Sequence, residues 1–112
     1  MVNLKNSNSL RKYIMTMGIV IEILPWLSRA LGKESRIVFN EPVNPKGETL
    51  QSLLRRIALK YDGVEGVIYD LKHGVVHEGV VIFVNNQRIP QDLKLIVKGG
   101  DRITVTPFYS GG

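Results

Sequence analysis

Residues suited to chemistry are few in this 112-residue chain, and most of them are badly grouped. His73 and His77 stand four apart, a spacing that can hold a metal from one face of a helix. Gly74 lies between them, however, and Gly79 follows. The chain has no cysteine, and a structural or catalytic metal needs at least a third protein ligand. The pair therefore reads as solvated loop histidines, with no metal site. Gly99-Gly100 lacks the Lys-Ser/Thr that completes a phosphate-cradling loop and leads into a strand instead of a helix N-terminus, so it reads as a turn. Ser28, Ser110 and the scattered carboxylates form no recognisable Ser–His–acid or paired-carboxylate pattern. No catalytic site of the chain's own emerges.

The last residues, Pro107-Phe108-Tyr109-Ser110-Gly111-Gly112, offer a different kind of chemistry. Glycine lacks a Cβ, so a double-glycine end is slim and conformationally free. Such an end can thread a narrow channel in a partner and present an unhindered carboxylate. The expectation is a mobile tail over residues 108–112 whose reactive group is the Gly112 carboxylate, with Pro107, Phe108, Tyr109, Ser110 and Gly111 in contact with partners. Two aromatics after a final strand have little core space left to them. Phe108 and Tyr109 thus read as interface anchors, against the competing reading that one folds back onto the sheet.

The elements that must position this tail can be read from periodicity. Ile19, Ile21 and Ile23 alternate with Val20 and Glu22, the pattern of a strand with one well-buried face, and Pro25 ends it. Trp26–Leu31 forms a short helical turn stopped by Gly32. Arg36–Phe39 is a second strand, paired with the first across a long connection. Glu41–Gly47, with two prolines and a glycine, is a loop. Thr49 then caps the strongest helix, which places Leu50, Leu53, Leu54, Ile57, Ala58 and Tyr61 on one face. Gln51, Arg55, Arg56 and Lys60 occupy the other face, and Asp62-Gly63 stops it.

Val64–Val76 reads either as a short strand or as a turn followed by a loop. Val80–Val84 is a strand leading to a tight turn at Asn85-Asn86, since Asn tolerates positive φ. Lys98–Asp101 is a further turn. Arg102–Thr106 alternates with Ile103 and Val105 inward, and Pro107, which cannot donate to a ladder, should end that strand. One amphipathic helix across a mixed sheet of four or five strands buries every apolar face. That is an α+β, ubiquitin-like β-grasp layout over residues 18–107.

The totals agree with one globular domain: 44% of residues are hydrophobic and 22% charged, too apolar for a disordered chain. The net charge of +5 hints at nucleic acid until it is located. Lys5, Arg11 and Lys12 supply three of these charges with no acid before Gly18. Residues 1–17 thus read as a flexible basic leader, and the mixed charges beyond it do not call for nucleic-acid binding. Glu22 and Pro25 interrupt the apolar stretch Tyr13–Leu31, which argues against a signal peptide or a membrane span. A cytoplasmic protein is the expectation.

Several segments resemble the small subunit of molybdopterin synthase (MoaD) and its sulfur-carrier relatives, the ThiS-like members of the ubiquitin-like superfamily. Trp26–Gly32 resembles the Leu-Gly-terminated turn after the family's first strand, and Thr49–Leu54 the start of its central helix. Val81–Asn86 resembles the strand before its Asn-Gly turn, with Asn86 in place of glycine. Lys98–Ile103 resembles the turn before its last strand. Pro107 and Gly111-Gly112 match its Pro-x-x-x-Gly-Gly ending, although Phe108-Tyr109-Ser110 is bulkier than the usual small aliphatic insert.

The resemblance implies a function. No cofactor is bound; ATP is used by an activating partner (MoeB/ThiF-like), which adenylates Gly112. Sulfur then replaces the adenylate to give a C-terminal thiocarboxylate. A larger synthase subunit (MoaE-like) accepts the tail, performs the catalysis and passes sulfur to the pterin precursor. Sulfur donation for tRNA thiolation, and protein modification through isopeptide bonds to lysines, share the same activated end and stay open beside it.

Overall fold

The computed structural model describes residues 18–89 and 92–108. Its centre is a five-stranded mixed sheet. The strands are β1 (Gly18–Ile23), β2 (Ile37–Pro42), β6 (Val80–Val84), β7 (Gln87–Arg88) and β9 (Arg102–Pro107), in the order β2-β1-β9-β6-β7. β1 and β9 run parallel at the centre, and the other pairings are antiparallel. Two two-stranded ladders complete the strands: β3 (Glu48–Thr49) with β8 (Ile96–Val97), and β4 (Tyr69–Asp70) with β5 (Val75–Val76). The helices are α1 (Leu27–Ala30), α2 (Leu50–Lys60) and α3 (Val64–Val67).

Helix α2 begins where the sequence calls for it. The Thr49 side chain accepts the Ser52 amide at 3.1 Å, satisfying one of the orphan donors at the N-terminus. Leu50, Leu53, Leu54, Ile57 and Ala58 are buried against Ile19, Ile21, Ile23, Ile82, Val84, Ile103 and Val105 from the sheet. Tyr61 is partly buried and stacks at a tilt on Phe39, with 4.8 Å between ring centroids. This is the ubiquitin-like β-grasp arrangement, with the helix covering one face of the sheet. No helix of the described residues is long and apolar enough to cross a membrane.

Three local readings change. β2 starts one residue later than expected and runs three further, so Glu41 and Pro42 belong to the strand and not to the following loop. Pro42 is tolerated because β2 is an edge strand, where a missing N–H leaves no ladder bond unmade. Residues 64–76 contain both a helical turn and a hairpin, whose bend is closed by Gly74 N–H donating to the Asp70 carbonyl at 2.8 Å. Tyr69 in that hairpin is 1% exposed. Pro107 is indeed the last residue of β9, yet the chain does not leave the sheet there. The Phe108 amide donates to the Gly79 carbonyl at 2.7 Å, holding the backbone one residue beyond the proline.

Candidate functional site

Strand β9 lies at the middle of the sheet and delivers the chain to the tail. Its alternation sends Ile103 and Val105 to the helix side, while Thr104 and Thr106 face outward and stay half-buried. Register carries the outward face across β6 and β7, since Val81 lies opposite Thr106, Phe83 opposite Thr104, and Arg88 opposite Phe83. These residues, with Leu24, Pro107 and Phe108, line a shallow depression on the outer face at the point where the tail departs. A second hollow lies on the other side of Phe108, between residues 76–82 and Ile89 and Leu93.

Phe108 and Arg88 are shared by both hollows. The Arg88 guanidinium carbon stands 5.3 Å from the Phe108 ring centroid, within cation–π range. The Phe108 ring is half exposed and forms no part of the buried core. Of the residues expected to act, Pro107 and Phe108 are thus brought to the rim of this surface. Tyr109, Ser110, Gly111 and Gly112 lie outside the described residues.

Arg88 escaped the sequence reading, although a signal for it exists. A two-residue turn at Asn85-Asn86, with φ of 51° and 69°, pairs Phe83 with Arg88 directly and so puts both on one face. The turn is braced by its neighbour: Asn85 accepts the Arg102 amide at 2.9 Å and donates to Asp101 at 3.0 Å.

Glu22 organises the rest of the outer face. It points away from the helix yet is 6% exposed, because two arginines fold over it. Arg102 Nη2 donates to one carboxylate oxygen at 2.7 Å and Arg36 Nη1 to the other at 2.8 Å. The Arg102 hydrogen bond, outweighing the cost of burial, holds the Glu22 carboxyl below the usual glutamate range, with the charges of Arg102 and Arg36 adding to it.

The two histidines have separate partners. His73 Nδ1 meets Asp70 at 2.6 Å in the β4–β5 turn, and this contact holds the Asp70 carboxyl below its ordinary value. His77 borders the second hollow, its Nε2 against the Glu65 carbonyl. Among the described residues no three potential ligands cluster.

A β-grasp sheet whose central strand β9 ends beside an apolar and basic rim defines a ubiquitin-like fold. Residues 29–112 match the ThiS family model. The chain therefore belongs to the ThiS family of ubiquitin-like sulfur carriers. Among curated protein sequences none matches it.

Solved structures share the fold at low identity. SAMP1 from Haloferax volcanii is 16% identical with a TM-score of 0.65, covering 85% of this chain and 99% of that one. Urm1 from Trypanosoma brucei is 14% identical with a TM-score of 0.62, over 85% and 95%. A chain of the Amycolatopsis orientalis BexX/CysO complex is 20% identical with a TM-score of 0.54, over 82% and 99%.

Proposed function

We propose that this protein carries sulfur on the Gly112 carboxyl for molybdopterin synthesis. An ATP-dependent activating protein binds the outer face. A Gly112 carboxylate oxygen attacks the α-phosphorus of ATP, pyrophosphate leaves, and an acyl adenylate forms. A sulfide equivalent from a sulfur donor then attacks the acyl carbon and expels AMP, leaving a thiocarboxylate. The larger synthase subunit takes the tail into its active site, where sulfur passes to the pterin precursor. Activation and transfer belong to the partners; this chain supplies the platform and the reactive end.

The observation that carries the reading is the family match, which runs through Gly111-Gly112. The pterin acceptor is supported by the resemblance of Lys98–Ile103 and of the Pro107-to-Gly112 ending to the synthase small subunit. A second reading, attachment of Gly112 to target lysines, is favoured by likeness to a protein named small archaeal modifier protein 1.

The test incubates the protein with ATP, a sulfur donor and its activating enzyme, then weighs it intact. A mass gain matching one oxygen replaced by sulfur, localised to the C-terminal peptide, supports the carrier. Gly-Gly remnants on lysines of other proteins would favour the modifier. Deletion should deplete molybdopterin; depletion of thiolated tRNA instead would reassign the acceptor. Extending the chain beyond Gly112 should abolish activity, and Gly111→Ala should impair it without unfolding the domain. Phe108→Ala should weaken binding of the activating enzyme while moving Tm little, because the ring is half exposed.

A further inference from the structure

Positive φ among the described residues falls on six glycines, on Asn85 and Asn86, and on Trp26. The glycines have no Cβ to clash, and the asparagines form the two-residue turn their side chains suit. Trp26 has neither explanation. Its φ of 91° and ψ of −61° put a bulky aromatic where any Cβ is crowded, and such strain persists chiefly where function requires it. Packing does not offset it, since the side chain is 66% exposed. It also makes no capping bond to α1.

The position of Trp26 gives the strain a direction. The Leu24 amide donates to the Val105 carbonyl at 3.0 Å. Because β1 and β9 run parallel, Pro25 and Trp26 leave the sheet at the same end as Pro107 and Phe108. Leu24 lines the outer depression together with those two residues, and α1 lies against β9. In and just after α1, exposed Arg29 and Lys33 outnumber the single acid Glu34, while Arg36 is taken up by Glu22. An aromatic anchor flanked by cations suits an apolar slot bordered by carboxylates.

We propose that Trp26 is a second anchor for the protein that adenylates Gly112, docking into such a slot while the tail enters the active site. This rests on the carrier reading above, and extends the contact surface from the sheet to the α1 corner. Tryptophan is the residue type that most often dominates an interface. A tryptophan at this strained, solvent-facing position is then a binding feature that works against stability.

The chain has one tryptophan, so fluorine-labelled tryptophan gives a single resonance that reports Trp26. Adding the adenylating enzyme from the same organism, without ATP, should shift or broaden it. By calorimetry, Trp26→Gly should bind that enzyme about tenfold more weakly or worse. Its Tm should hold or rise, because glycine accepts this backbone. The proposal is overturned if the wild-type chain binds with its resonance unmoved, if Trp26→Gly binds as tightly, or if the wild-type chain does not bind at all. Should Trp26→Gly melt lower, the resonance of the unsubstituted chain decides. ATP is added last. An adenylate formed while the resonance stays unmoved refutes the anchor alone. Binding that buries Trp26 without any adenylate refutes the carrier reading on which the anchor rests.

Discussion

Glu22 and Glu41 lie on neighbouring strands, point to opposite faces of the sheet, and are both nearly shut off from water. Their partners differ in kind. Glu41 sits on the helix side, 1% exposed, and accepts from Arg56 at 3.2 Å and from Lys60 and the Tyr61 hydroxyl at 3.3 Å each. Arg56 also reaches Glu48 at 2.7 Å and the Pro42 carbonyl at 2.6 Å. The Glu48 hydrogen bond is the first reason its guanidinium holds its proton more tightly than usual. This cluster fastens the edge strand to α2 and closes one end of the core. Glu22 instead gathers Arg36 and Arg102 on a face that no helix of the described residues covers. A buried carboxylate on the covered side serves packing. On the outer side it ties β1 to β9 and to the residue before β2.

That contrast can be broken from either side. The largest effect should come from the covered face itself. Leu54→Ala, at a site 2% exposed, should cost about 2–5 kcal/mol by leaving a cavity, read as a lower midpoint in urea. Next comes Glu41→Ala, which removes the shared acceptor of three donors. Arg56 and Lys60 are 39% and 50% exposed and can rehydrate, so the loss should be about 2 kcal/mol, below the ~3–5 typical of fully buried pairs.

Glu22→Gln should cost less at neutral pH and reveal itself through acid. Glu22 has a lowered folded-state pKa, so its stabilisation is complete above the ordinary glutamate value and disappears as pH falls through the lowered one. Thermal melts should therefore show a shallower acid decline in Glu22→Gln than in the wild-type chain. The smallest change should be a gain. Ser28 is fully buried in α1 and its Oγ has no hydrogen-bond partner among the described residues. Ser28→Ala should raise stability by about 1 kcal/mol, because an unsatisfied hydroxyl is costly to bury. A fall in Tm would mean that the hydroxyl has a partner in solution.

Regular elements long enough to show a period were legible in advance. Leu50, Leu53, Leu54 and Ile57 announce α2, with Thr49 as its cap. Ile103 and Val105 announce the inward face of β9, and the Asn85-Asn86 turn follows from which residues tolerate positive φ. Of the two-residue strands, β3 and β8 were not legible, and β4 and β5 showed only as a short strand or turn within Val64–Val76. Two residues carry no periodicity, and these strands exist because a distant partner supplies the other half of the ladder, as Val97 does for Glu48. The tail reading rests on residue type alone and falls mostly on residues 109–112, outside the described residues, whereas the surface beside Phe108 had no signal in residue type.

Leu24, Val81, Phe83, Arg88 and Phe108 belong to separate stretches of chain, and the strand order β1-β9-β6-β7 brings them together. Composition and spacing act over one or two turns of chain, and so they suffice for the helix and the long strands. The burial of Glu22 hangs on Arg102, 80 residues away, and the strain at Trp26 on how β1 leaves its pairing with β9. Only the closed sheet sets such distances, because long-range contacts form at the cost of chain entropy that no local pattern records.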